Sequence, residues 1–186
     1  MREKILDVAE HMTQDRGLEA VTFQELADAV GLRKPSVFHH IKNKDELALA
    51  LIDRCGTKHG PHYRAAVAQD TPAPDKLHRI AEIFAEGLRN KRPCLIAALS
   101  AGRNTLSEHA QEQLRERAQA TIQLFASVFE QGRSEGTLAF AGEPEQASTG
   151  FFAMLQGLQT LSRTIEDSHA FENAAKAYID SITATT

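Results

Sequence analysis

The 186 residues suffice for one small domain joined to a medium one, with a core large enough to need no disulfide or metal staple. The two cysteines, Cys55 and Cys94, lack the paired spacing of a zinc or dithiol site, and no stretch has the apolar length of a signal or membrane segment. Together these features predict a reducing, cytoplasmic setting, while the formal net charge of −4 excludes a generally basic surface, so any nucleic-acid contact must be local.

Helical periodicity runs through nearly the whole chain and no long β-branched alternation interrupts it, which predicts an all-α fold of about nine helices. Helix one places Ile5, Val8, Ala9 and Met12 on one face and stops near Arg16-Gly17. Thr22 followed by Glu25 is the signature of a capping box opening a second helix, whose apolar face is Leu26, Ala27 and Val30. Gly31 supplies the left-handed residue that ends it, and Leu32 plugs the corner. A third helix opens with Arg33, Lys34 and Pro35 and turns Val37 and Ile41 into the core. Ala27, Gly31, Leu32 and Val37 have the spacing that two closely crossed helices need, so residues 22–41 read as a helix-turn-helix. Asn43, with Glu46 as partner, caps a fourth helix over about 44–59, which carries Leu47, Leu51 and Cys55 inward and ends before Gly60-Pro61.

From Ala29 to Lys44 the side chains Arg33, Lys34, Lys42 and Lys44 are basic and none is acidic. Arg33, Lys34, Ser36, His39 and His40 occupy the side of the third helix that the apolar positions leave exposed, where a major groove would meet it. Lys44 sits in the first turn of helix four, where free amides favour an anion; it is either a phosphate contact or simply a solvated side chain.

Beyond a polar stretch around Asp70-Thr71-Pro72-Ala73-Pro74, a helix carries Leu77, Ile80, Ala81, Phe84 and Leu88. Pro93 is placed to open the next, with Leu95, Ile96 and Leu99 buried, and Ser107 to cap a long one bearing Leu114, Ala118, Ile122, Phe125 and Phe129 that ends over Gly132–Gly136. Pro144 starts a helix that is apolar around more than one face, and a final helix holds Phe171, Ala174, Tyr178 and Ile182. Such excess apolarity calls for a second burial partner. A homodimer built on Phe151, Met154, Leu158, Leu161 and Tyr178, with Gly150 and Gly157 permitting close approach, satisfies it; filling of the monomer's own core is the alternative. Two-fold symmetry also suits a palindromic duplex.

Ile5 to Leu51 resembles the N-terminal domain of the TetR family of transcriptional regulators, and FHHIKNKDEL resembles that family's usual tyrosine-rich signature. The resemblance implies that Thr22, Arg33, Lys34, Ser36, His39, His40 and Lys44 contact operator DNA, with His39 standing where tyrosine is commoner. It divides the chain into a DNA-binding domain over 1–46 and an effector-binding and dimerisation domain over 47–186. It further implies a repressor released by a small molecule bound among the C-terminal helices, for which Phe84, Leu88, Leu99, Arg103, His109, Phe125 and Phe152 are candidate lining residues, with plain core as the alternative. Pro93-Cys94-Leu95 through Leu106-Ser107 resembles a branch of the family in which some members respond to reactive compounds. Cys94, beside Arg92 at a predicted helix start, is then a candidate thiol sensor.

His59, His62 and His78 lack a fixed third ligand and read as solvated, so no metal is expected. No phosphate loop, nucleophile elbow, zincin motif or dinucleotide fingerprint occurs, which argues against an enzyme and against a cofactor. A helical DNA-binding protein whose second domain only dimerises is the remaining rival.

Overall fold

The computed structural model describes residues 1–184. Its order is α1 (Arg2–Arg16), α2 (Phe23–Val30), α3 (Lys34–Phe38), α4 (Lys44–Arg54), α5 (Gly60–Val67), α6 (Ala73–Arg89), α7 (Leu95–Ala101), α8 (Glu108–Glu135), α9 (Pro144–Thr164) and α10 (Ser168–Ile182). Among the described residues there is no strand, only one bridge pairing Leu138 with Thr183. The all-α expectation holds, and since α4 and α5 are joined by the π turn Cys55–His59, counting them once gives nine helices.

The chain forms two compact units, of which the first takes in Met1–Lys58 and Lys91–Ala118. Here α1 packs on α2, α4 and α7. Ile5, Leu26, Val37, Ile41, Leu47 and Leu51 are completely buried, each contributing about 1.5–3 kcal/mol against leaving it exposed. A polar clamp adds direction to that packing. Arg54 on α4, almost fully buried, donates from Nε to the buried carboxylate of Glu10 at 2.7 Å, from another nitrogen to Glu3 at 2.6 Å, and pairs with Asp7. Lys58 reaches Asp7 at 2.9 Å and Glu10 at 3.2 Å. The Lys58 hydrogen bond, with the charges of Lys58 and Arg54, holds the Asp7 carboxyl below its usual range.

The second unit comprises residues 59–90 and the chain from Gln119 onward. Within it α6 packs on α5, α9 and α10, and α10 also packs on α9. Its core is aromatic, with Phe84, Phe125, Phe129, Phe151 and Phe171 fully buried. Glu143 and Gln146 form a capping box at the start of α9, and Asp167 caps α10 through the amide of His169 at 2.9 Å.

Two local expectations are corrected. Gly60-Pro61 does not stop the fourth helix: the π turn precedes it, and α5 takes Pro61 in its first turn, where the missing amide hydrogen is not needed. Pro93 does not open a helix, because Cys94 is the N-cap of α7 and the Pro93 carbonyl instead accepts from Gln14 Nε2 at 2.8 Å. The long helix α8 ends at Glu135, inside the expected Gly132–Gly136 span, with Gly132 in its last turn. A Cβ there would come within 2.4 Å of Leu138, so glycine permits the chain after the helix to fold back against it.

Candidate nucleic-acid interface

The helix-turn-helix is set by local bonds that the sequence announces. The Thr22 hydroxyl accepts from the Glu25 amide at 3.2 Å, while the Glu25 carboxylate accepts from the Thr22 amide at 3.1 Å and the Thr22 hydroxyl at 2.7 Å. Arg16 pairs with the same carboxylate at 2.7 Å. The Thr22 hydroxyl and then Arg16 hold Glu25 below the usual carboxylate range. Both Thr22 donors are thus engaged within the box, and Thr22 offers a phosphate nothing while the box is closed.

Gly31 is left-handed (φ 72°, ψ 34°), and the Leu32 amide returns to the Ala27 carbonyl at 2.8 Å, closing the helix end from which α3 departs. Arg33 is the N-cap of α3 without a side-chain cap bond, and Pro35 lies in its first turn. Val37 and Ile41 are completely buried, which turns Arg33, Lys34 and His39 outward and leaves Ser36 and His40 half-buried. Among the described residues Arg33, Lys34 and Lys42 have no acidic partner, so their field is uncompensated locally.

Lys44 is placed differently from the phosphate contact considered for it. Asn43 caps α4 through the Glu46 amide at 2.8 Å, and Glu46 accepts from the Lys42 amide at 2.9 Å. The Lys44 ammonium, however, donates to the carbonyls of Glu19 and Val21 at 2.7 and 2.9 Å, tying α4 to the short 3-10 turn Leu18–Ala20. Two of its three hydrogens therefore have internal acceptors. Lys44 also lines an open cleft of about 510 Å³ with Leu18, Glu19, Asp45, Ala48, Thr105, Leu106 and Ser107, none of them among the candidate pocket residues.

Sequence reasoning passed over Phe38. Its ring is 39% exposed on α3 and stacks on Phe23 of α2, with centroids 4.7 Å apart and planes 14° from parallel. Lys34 Nζ lies 6.0 Å from the same ring centre. The signal was available, since Val37 and Ile41 already fill the inward positions of so short a helix.

The candidate pocket residues divide between the units. Phe84, Phe125 and Phe152 meet in the second: Phe152 lies edge-on to both at 6.1 and 5.8 Å, and Tyr63, unforeseen, contacts Phe84 and Phe125 at 5.7 and 5.4 Å. Leu88 is half-buried in the same unit. Leu99, buried, and Arg103 and His109, both exposed, belong to the first unit.

Of the candidate dimer residues, Phe151 is completely buried between Phe125, Phe129 and Tyr178 and has no surface to offer a partner, because its ring completes the unit's own core. Tyr178 stacks on it at 6.1 Å and is half-buried. Met154 and Leu158 are half-exposed, Leu161 is 54% exposed, Ile165 beyond them is 51% exposed, and the space beside Gly150 and Gly157 is open.

Cys94 is half-buried and Cys55 buried, and neither is joined in a disulfide. Burial drives the Cys55 thiol far above the ordinary thiol range, and negative charge on Cys94 raises it further, so the fold brings together two cysteines distant in sequence. Among the described residues no group of His, Cys, Asp or Glu is arranged to hold a metal, and no helix is long and apolar enough to cross a membrane.

A helix-turn-helix with a locally uncompensated basic edge, followed by a helical second region, defines a DNA-binding transcriptional regulator. Residues 5–51 match the family model described as bacterial regulatory proteins of the tetR family, and residues 73–178 match that of the tetracyclin repressor-like C-terminal domain. The chain belongs to the TetR family, whose members bind DNA and form dimers.

It is 25% identical over 190 residues to the transcriptional repressor NemR of Escherichia coli, covering 99% of this chain and 94% of NemR. The structure of NemR, described as its reduced form, superposes with a TM-score of 0.82. The repressor KstR2 of Mycolicibacterium smegmatis is 39% identical over 46 residues, 25% of this chain and 22% of its own. A TetR-family regulator from Agrobacterium tumefaciens, 19% identical, shares the fold over 98% of this chain and 97% of its own, with a TM-score of 0.93.

Proposed function

We propose that this protein is a homodimeric repressor that binds a palindromic operator through residues 1–46 and is released when a small molecule enters the helical domain over 47–186. The observation that carries the reading is the α3 edge, where Arg33, Lys34 and Lys42 stand without acidic partners on a chain of net charge −4. The residues proposed to meet DNA are Arg33, Lys34, Ser36, His39 and His40, with Thr22 and Lys44 holding the reading head in shape and Lys44 retaining one hydrogen for a phosphate. Met154, Leu158 and Leu161, beside the open glycines of α9, support pairing with a second copy. The effector is expected among the aromatic side chains of the second unit, with Phe84, Leu88, Phe125 and Phe152 near it. The protein acts by binding, without catalysis, in the cytoplasm.

Selection of bound sequences from a random duplex library, followed by titration of the winner at several salt concentrations, tests this reading. A palindromic winner whose affinity falls steeply with salt is expected, with a log–log slope of about −0.9 per phosphate neutralised. No enrichment above non-specific binding overturns it.

A second reading makes the released state a thiol product. It is favoured by the N-cap position of Cys94, where free amides and helix polarity assist a thiolate, and by the proximity of Cys55. NemR, the relative whose structure is described as a reduced form, lends it support. Unchanged release of operator by electrophiles from the Cys94→Ser protein removes this reading.

A further inference from the structure

We propose that the cleft between the start of α4, the Leu18–Ala20 turn and the α7–α8 connection is a second small-molecule site, which takes an organic cation with an apolar body. Its lining belongs wholly to the first unit and shares no residue with the aromatic core of the second. The site stands whether or not the operator-binding reading holds.

At about 510 Å³ the cleft lies within the range of small-molecule pockets, and Leu18, Ala48 and Leu106 give it an apolar wall. Its sides are fixed by bonds. Lys44 ties α4 to the carbonyls of Glu19 and Val21 on one side. On the other, Thr105 Oγ1 donates to the Gly102 carbonyl at 2.8 Å, and Gln111 Nε2 to the Leu106 carbonyl at 3.0 Å. The Glu19 side chain lies against this second side, its Cγ and Oε1 within 3.7 and 3.8 Å of the place a Cβ on Gly102 would take. A ligand therefore meets a largely formed surface, which lowers the ordering cost of binding.

Charge selects the sign of that ligand. Glu19 and Asp45 line the cleft, and neither carboxylate has an ionic or hydrogen-bonded partner among the described residues. They face one ammonium, Lys44, two of whose hydrogens are already held by carbonyls. An anion finds little to bind in return. The Thr105 hydroxyl hydrogen is engaged, and Ser107 Oγ occupies the start of α8 by accepting from the Ala110 amide at 3.2 Å. A protonated amine or quaternary ammonium thus meets two unpaired carboxylates, while its hydrocarbon part covers Leu18, Ala48 and Leu106.

The test titrates the full-length protein, methyl-labelled at Leu and Ala, with benzyltrimethylammonium, and follows the methyl signals by NMR. Saturable shifts at Leu18, Ala48 and Leu106 are expected, with an affinity that falls as salt rises. Phenylacetate, an anion of similar body, should leave those signals in place. Glu19→Gln and Asp45→Asn should each weaken the cation about two- to five-fold, as the loss of one exposed ion pair does. Thr105→Trp, at an exposed position on the rim, should fill the cleft and abolish binding with the thermal unfolding midpoint little changed.

Shifts confined to residues outside the cleft, equal binding of phenylacetate, or an affinity undiminished both in the Glu19→Gln, Asp45→Asn double variant and in Thr105→Trp would overturn the proposal. None of these outcomes touches operator binding, which the duplex selection tests separately.

Discussion

The two units are held by different kinds of force. In the first, directional polar bonds set the geometry: the Thr22–Glu25 box, the left-handed Gly31, the Lys44 tie to the 3-10 turn and the Arg54 clamp on α1. In the second, rings pack edge to face, as Phe152 does on Phe84 and Phe125, and individual contacts carry less angular demand. A reading head must present side chains at fixed positions on DNA, whereas a binding core benefits from surfaces that repack at moderate expense. The contrast teaches where each substitution should be felt.

The largest effect should come from the aromatic core. Phe125→Ala is expected to lose about 3–5 kcal/mol in urea denaturation, while hydrogen exchange in α2 and α3 changes little if the units respond separately. Next, Arg54→Ala leaves the buried Glu10 carboxylate to Lys58 alone and should remove about 3 kcal/mol, loosening amide protection in α1 and α4 first. Gly31→Ala forces a side chain into the left-handed region; a loss of about 1–2 kcal/mol is expected, with operator affinity falling more than thermal stability because the angle of α3 changes. Thr22→Ala should remove about 1 kcal/mol of capping.

Acid sharpens the same comparison. The carboxyls of Glu25 and Asp7 titrate below their unfolded values, so the stability they provide is complete above the unfolded pKa and is lost as pH falls through the folded one. Circular dichroism between neutral pH and pH 3 should therefore show Thr22→Ala less acid-sensitive than the unaltered protein. Equal sensitivity would mean that Glu25 adds nothing to the first unit. The smallest effects concern DNA: Lys34→Ala should lower the salt slope by about one or alter base preference, and Lys44→Ala should show in stability as well as in salt dependence.

What the sequence announced and what it hid separate along physical lines. The capping pairs Thr22–Glu25 and Asn43–Glu46, the turn at Gly31 and the outward position of Arg33 and Lys34 depend on residues within a few positions of one another. All-helical periodicity is equally local. The partners of Lys44, the approach of Cys94 to Cys55 and the buried place of Phe151 depend on segments far along the chain, about which spacing says nothing. Phe38 is an intermediate case: its outward register was legible, but the Phe23 ring that holds it comes from another helix.

The first unit is discontinuous in sequence, because Lys91–Ala118 belongs with Met1–Lys58, and the crossing near residue 118 falls inside α8. Modularity at the level of the gene is limited accordingly. A chimera that exchanges only the leading segment would seat a foreign helix-turn-helix against a resident α7 that it did not evolve to contact. Transplanting binding specificity therefore calls for several junctions, or for replacement of surface residues on α3 alone, with the α1–α7 packing left native.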